Sequence, residues 1–257
     1  MTAPTALVLA GDGLNCERET AAAFTQAGAT AHIRHLADLQ DTSDPLAGVQ
    51  LLALPGGFSF GDEISSGRIL ALKIERTLAG ALPRFLERGG LLIGICNGFQ
   101  TLTHLGLLPG GTHPRATLTT NRPPAGQAAG FINRWETLQI EPSHCHWTRG
   151  LEGEAVMPIR HGEGRLTFGL DGSGTEDAVR RLEEAGQIAL RYARNINGSA
   201  GRIAGLTDPT GQILGLMPHP EAATHQALAP GGEGATGAAL FQNAVAYAKT
   251  HLMEASS

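Results

Sequence analysis

Cys96 stands between two glycines in Gly94-Ile-Cys-Asn-Gly98, where an apolar run ends and a helix-compatible stretch, 99–105, begins. A thiol at a strand–sharp turn–helix junction has the layout of a nucleophile elbow, with sulfur in place of a hydroxyl. The small glycines let strand and helix approach closely. The helix N-terminus sets free N–H groups and positive dipole beside the sulfur, which favours the reactive thiolate. Such a nucleophile needs a base and a group that orients the base. Gly215-Leu-Met-Pro-His-Pro-Glu221 contains both. Two prolines hold His219 out of regular helix, and Glu221, two residues on, is in range to fix the imidazole tautomer. Read alone, Pro-His-Pro is equally a rigid turn with a surface histidine. Acyl transfer also needs two donors for a developing oxyanion. The N–H groups of Gly57, in Pro55-Gly-Gly57, and of Asn97 are the expected pair, although Pro-Gly-Gly by itself is more often a plain turn.

These residues require elements that bring positions 57, 96 and 219 together. Residues 6–10, 49–54 and 91–95 read as short apolar strands and 29–35 as a further strand, with helical patterns between them. Asn15 is the expected N-cap of a helix ending near Gly28, and 64–88 reads as mainly helical, with Pro83 starting a new turn. Non-alternating apolar strands are buried on both faces. The expectation is an α/β fold, a mainly parallel open sheet flanked by helices. Beyond residue 108, segments 115–120, 131–140, 154–160, 165–170 and 187–193 read as strands separated by turns, an antiparallel excursion in the second half. Residues 203–207 and 212–217 form a hairpin pattern around Asp208-Pro-Thr-Gly211. A linker at 230–234 precedes a last amphipathic helix with Thr236 as its cap and Leu240, Phe241, Ala244, Val245, Ala248 and Leu252 facing the core. Residues 1–257 are expected to form a single domain.

Composition narrows the function classes. The net charge of −5 without a basic run points away from nucleic acid and membrane surfaces. No apolar stretch reaches the roughly 18–20 residues that span a bilayer. Three widely spaced cysteines, Cys16, Cys96 and Cys145, fit a reducing cytoplasm better than a disulfide framework. His144-Cys-His146 has metal-ligand types, but no CxxC or HxxxH partner completes it, and in a strand Cys145 would face away from both histidines; no metal is expected. Cys16 reads as a small residue packed near the site, with a second reactive thiol as the sharper alternative.

Together, Pro55-Gly-Gly57, Gly94-Ile-Cys-Asn-Gly-Phe-Gln100 and Pro218-His-Pro-Glu221 resemble the motifs of the class I, triad-type glutamine amidotransferases. Within that class the chain is similar, over about residues 6–250, to the glutaminase subunits of phosphoribosylformylglycinamidine synthases. The narrower match is carried by Asn15-Cys-Glu-Arg-Glu19, Pro55-Gly-Gly-Phe-Ser-Phe-Gly-Asp62, Phe131-x-x-Arg134-Trp135, Cys145-x-Trp147-Thr148, His161-Gly-Glu-Gly-Arg165, Asn197-Gly-Ser199 and Ile203-Ala-Gly205. The chain departs from the family's usual text at Arg194-Asn-Ile-Asn197 and at Ala222.

The resemblance implies glutamine hydrolysis to glutamate and ammonia through a thioester on Cys96, with His219 and Glu221 completing the triad. It implies Gln100, His161 and Glu163 as substrate-binding residues, with 161–165 beside the substrate's charged groups or at a partner interface and 58–62 as a loop gated by the partner. It further implies delivery of ammonia to a partner synthetase subunit in purine biosynthesis, with a small accessory subunit. No cofactor is implied in this chain; ATP and Mg are expected on the synthetase, in keeping with the absence of a Gly-x-x-x-x-Gly-Lys-Ser/Thr loop here. Two alternatives stay open: a glutaminase of another synthetase or a stand-alone cysteine hydrolase of the same fold, and a catalytically inert scaffolding module.

Overall fold

The structure, a computed structural model, describes residues 2–11, 13–58, 67–125, 130–169, 174–230 and 236–253. The chain runs β1 (Thr5–Ala10), α1 (Glu17–Gln26), β2 (Thr30–His35), β3 (Leu51–Leu54), α2 (Arg68–Thr77), α3 (Ala81–Glu87), β4 (Leu91–Ile95) and α4 (Asn97–His104). It continues with β5 (Ala116–Thr119), β6 (Ile132–Ile140), β7 (Glu154–His161), β8 (Arg165–Phe168), α5 (Thr175–Glu184), β9 (Ile188–Tyr192), β10 (Ile203–Thr207), β11 (Ile213–Leu216) and α6 (Thr236–His251). Nine strands form one sheet in the order β2-β1-β3-β4-β11-β10-β9-β6-β7, and β5 pairs with β8 separately. The first five of the nine are parallel, and the rest join antiparallel. This is the expected mainly parallel sheet with an antiparallel excursion.

Strands β3, β4 and β11 are buried along their whole length, which explains their unbroken apolar text. The rings of Phe24 in α1 and Phe241 in α6 meet edge-on at 5.0 Å, and Trp147 packs on Phe24 at 6.3 Å. The inward residues of α6 are those its periodicity indicates: Leu240, Phe241, Ala244, Val245 and Ala248 are buried, and Leu252 packs against the core.

Three local expectations need correction or completion. Cys16, not Asn15, is the N-cap of α1, and no side chain caps that helix. The amides of Asn15 and Cys16 both donate to the Gly56 carbonyl, so backbone from another strand end holds the turn. Pro83 lies in the first turn of α3, which Ala81 opens. Helix α5 has no counterpart in the strand-by-strand reading of the second half. The side chain of Thr236, the 231–235 segment and residues 59–66, which include most of the 58–62 loop, lie outside the described residues. Among the described residues, no helix is long and apolar enough to cross a membrane.

The parallel register places the chemistry. Leu54 pairs with Gly94, and Leu216 pairs with Ile95, so β3 and β11 flank β4 and end level with it. The chain leaving β4 is Cys96, the chain leaving β3 is Pro55-Gly-Gly57, and the chain leaving β11 is Met217-Pro-His219. All three emerge at the carboxyl rim of the sheet, where open α/β folds carry their sites.

Candidate active site

The elbow at Cys96 is strained. Its φ of 52° and ψ of −104° are unusual for a non-glycine residue, a conformation costing about 1–3 kcal/mol that persists only where its surroundings enforce it. The enforcement is visible. The Cys96 amide donates to the Leu216 carbonyl at 2.8 Å, and its carbonyl accepts from the Gln100 amide at 3.1 Å, opening α4. A Cβ on Gly98 would stand 2.0 Å from the Leu54 carbonyl oxygen, and one on Gly94 would stand 2.7 Å from the Gly98 carbonyl oxygen. Only glycine at both positions lets α4 start directly against β3 and β4. The Cys96 thiol points toward the Arg160 carbonyl, 3.7 Å away at the end of β7.

His219 is held from both sides along its backbone. Its amide donates to Pro158 of β7 at 2.9 Å, and its carbonyl accepts from Ala222 at 3.2 Å, closing a short 3-10 turn over Pro220–Ala222. That turn brings Glu221 back under the ring, so Nδ1 meets Glu221 Oε1 at 2.6 Å. Both side chains are at most 3% exposed. Burial alone would push the imidazole's pKa down. The Glu221 carboxylate outweighs it, helped by the Cys16 and Cys96 thiols, and holds His219 well above its ordinary 6.5. With Nδ1 committed to Glu221, Nε2 is the ring atom available for proton transfer; it is buried and makes no hydrogen bond. Gly56 supports the ring face: a Cβ there would stand 2.8 Å from His219 Cε1.

Gly57 makes an isolated antiparallel bridge with Leu14, and its neighbour Phe58 donates to the Gly13 carbonyl at 2.8 Å. Its φ of +155° and the Gly13 carbonyl, 2.4 Å from where a Cβ would sit, restrict the position to glycine. Gly57, Phe58, Cys96, Gln100, Phe131, Arg160, His161, Gly162 and Glu163 enclose a pocket of about 200 Å³. A larger hollow, about 540 Å³, lies beside β2 and contains none of these residues. Of these two, the small pocket is the candidate site, because the strained thiol lines it.

The remaining expected site residues surround this pocket in different ways. The Gln100 side chain accepts from Asn97 Nδ2 at 3.0 Å and donates to the Glu163 carbonyl at 2.8 Å, tying α4 to the 161–165 loop. His161 is buried with Nε2 3.3 Å from the Tyr192 hydroxyl. Burial first, and the charge on His219 second, push its pKa down to about 3, so it is a neutral wall rather than a cation. Glu163 is half-buried at the pocket edge.

Arg160 and Asn121 were not evident from the sequence as site residues, whereas Phe58, Phe131 and Cys16 lie in segments the sequence singled out. Arg160 joins the lining, with its carbonyl facing the Cys96 thiol. Exposed Phe58 and Phe131 flank the mouth, their ring centroids 6.0 Å apart. Asn121 fixes the pocket wall: buried, it donates to the His161 and Gly130 carbonyls and accepts from the Gly164 amide. Cys16 approaches His219 Nδ1 to 4.0 Å, and burial pushes its own pKa up against that contact. The position of Asn121 carries no local pattern that would reveal it. Cys16 had a signal in its place at a helix start after the first strand. The His144-Cys-His146 segment is a loop rather than a strand. Cys145 is buried there and His144 Nε2 lies 2.9 Å from the Asp208 carbonyl.

Comparison with known proteins places this geometry in a family. The model of the CobB/CobQ-like glutamine amidotransferase domain matches residues 3–248. A phosphoribosylformylglycinamidine synthase subunit PurQ of Dehalococcoides mccartyi is 35% identical over 257 aligned positions, covering 95% of this chain and 97% of that protein. The subunit of the same name from Methanococcus maripaludis strain S2 is 39% identical, covering 85% of this chain and 82% of the relative. Among solved structures, a chain in the structure of PurLQS from Thermotoga maritima superposes with a TM-score of 0.74 at 32% identity, covering 96% of this chain and 99% of that one.

Proposed function

Because the chain belongs to the CobB/CobQ-like glutamine amidotransferase family, and within it to the PurQ subunits of phosphoribosylformylglycinamidine synthase, we propose that Cys96, His219 and Glu221 hydrolyse glutamine to supply a synthetase with ammonia. The observation that carries this reading is the junction itself: a strained thiol on the wall of a small pocket, beside an imidazole whose far nitrogen is fixed by a buried carboxylate.

Cys96 Sγ attacks the side-chain amide carbon of glutamine while His219 Nε2 takes the thiol proton. The oxyanion that forms is met by the N–H groups of Gly57 and Asn97. His219 then returns its proton to the leaving nitrogen, and ammonia departs from a glutamyl thioester on Cys96. Water, deprotonated by the same nitrogen, releases glutamate. Glu221 keeps Nδ1 protonated and balances the imidazolium throughout, in the manner of other triads. Arg160 and Glu163, on the same wall, bring the two charge types that match the carboxylate and ammonium of a free amino acid. Gln100 and Asn121 position that wall, and His161 fills it without charge.

The ammonia passes to a partner synthetase subunit that binds ATP and Mg, with a small third subunit in the assembly. The structure of PurLQS from Thermotoga maritima supports the three-part assembly. Work in the cytoplasm fits the three unpaired cysteines.

A glutamine-analogue electrophile tests the assignment. The expected result is a single adduct on Cys96, blocked by glutamine and formed faster in the presence of the synthetase. An adduct on Cys16 instead, or none in the complex, contradicts it.

A further inference from the structure

The Nδ1 side of His219 holds a donor set that glutamine hydrolysis does not use. Cys16 Sγ lies 4.0 Å from Nδ1, and Glu221 Oε1 lies 2.6 Å from the same nitrogen. One ligand atom from each of Cys16, His219 and Glu221 falls within 4.8 Å of the others. Thiolate, imidazole and carboxylate are the donors zinc takes, at roughly 2.3, 2.0 and 2.1 Å, which sets ligand atoms about 3.3–3.6 Å apart around a tetrahedral ion. Reaching that spacing needs Cys16 to move in by about half an ångström and Glu221 to move out by slightly more. A second observation points the same way. Glu221 Oε2 is buried without a hydrogen-bond partner, on a residue 4% exposed, so the carboxylate has an unused acceptor. Cys16 is only partly buried and gives an ion a way in. Three protein ligands leave the fourth position for water.

We propose that Cys16, His219 and Glu221 form an inhibitory site for a thiophilic divalent cation of the zinc type. On binding, the ion replaces the proton that Nδ1 shares with Glu221. That proton moves to Nε2, or to solvent where Nε2 already carries one, and the Cys16 thiol proton passes to solvent, so Nε2 is left protonated and unable to accept the Cys96 proton. His219 is then turned from orientable base into metal ligand, so metal occupancy and catalysis exclude each other. Cys96 is not a ligand in this arrangement, which separates it from a metal simply capping the nucleophile through Nε2.

The test uses Co²⁺ as a spectroscopic probe on the full chain. Thiolate coordination gives a sulfur-to-cobalt charge-transfer band, which we expect in the wild type and in Cys96→Ser. Cys16→Ser should lose the band or bind Co²⁺ at least about tenfold more weakly, a loss that even an outer-shell partner of a metal ligand typically brings. A band that vanishes in Cys96→Ser and survives in Cys16→Ser overturns the proposal, as does the absence of any band in the wild type. Should Cys16→Ser fold poorly, alkylation mapping on the wild type decides: Zn²⁺ must protect Cys16, and labelling of Cys16 unchanged by Zn²⁺ refutes the site. The inhibition arm rests on the glutaminase reading. Zn²⁺ should depress glutamate release by the complex, and Cys16→Ser should raise the half-inhibiting concentration about tenfold. Equal sensitivity of wild type and Cys16→Ser refutes the inhibitory role. The spectra do not depend on activity, so failure of the metal site and failure of glutamine hydrolysis remain distinguishable.

Discussion

Gly56→Ala is a small change with a large calculable consequence. The added methyl would stand 2.8 Å from His219 Cε1 and 3.4 Å from both His219 Nδ1 and Cys16 Sγ. Carbon atoms in contact rest at about 3.5–4.0 Å, so the methyl and the ring must separate by roughly 0.7 Å. Neither side yields freely. The ring is anchored by its 2.6 Å bond to Glu221 and by the backbone bond to Pro158, while the Gly56 carbonyl holds the Asn15 and Cys16 amides. Overpacking of this size costs about 1–3 kcal/mol, which a thermal melt detects without the protein unfolding. The catalytic effect is of comparable energy but reads directly as a rate, because a displacement near 1 Å in a reacting group costs on the order of 10²-fold. We therefore expect glutamate release by the complex to fall about a hundredfold, while synthesis from added ammonia is retained. The assay is glutamate production and ammonia-fed synthesis on the same preparation, with a melting curve alongside. A variant that melts lower yet hydrolyses glutamine at the wild-type rate would refute the claim that the Gly56 backbone sets the imidazole's position.

Three further outcomes follow from the geometry. Gly98→Ala sets a methyl 2.0 Å from the Leu54 carbonyl oxygen, a backbone atom that no rotamer change relieves, and stability should drop by about 3 kcal/mol or more in urea titration. Glu221→Gln removes the carboxylate that raises the His219 pKa. A raised folded value gives stability that is complete below 6.5 and lost as pH rises through the raised value, so the variant should lose that alkaline decline in melting temperature. His161 has the opposite sign: its stabilisation is complete above 6.5 and lost as pH falls toward about 3. His161→Gln should flatten the acid limb of the melting profile while leaving the alkaline limb in place.

Much of this arrangement was legible before any coordinates. The elbow, the Pro-Gly-Gly turn and Pro-His-Pro each stand at a strand end, and parallel strands that are neighbours in a sheet finish on one rim. The identity of the strands therefore brought Cys96, His219 and Gly57 together. Other features were illegible because they depend on contacts across the chain. Asn121 bonds to residues some 40 positions away, and nothing local marks it. Cys16 caps its helix because the Gly56 carbonyl takes two successive amides, a tertiary contact that overrides the better capping chemistry of Asn15. Helix α5 is a different case: Glu176 and Asp177 in its first turn and Gly174 and Gly186 at its flanks are local signals, obscured by the strand-rich text on either side. The charge of His161 could not be read either, since its neutrality follows from burial beside Tyr192.

The most direct measurement is Cys96→Ala in the assembled synthetase. Our account predicts that glutamine-dependent synthesis disappears while synthesis from added ammonia continues at close to the wild-type rate, because the thiol serves only to release ammonia. Loss of both activities would make Cys96 a structural residue, and retention of glutamine-dependent synthesis would place the nucleophile elsewhere; either result contradicts the account.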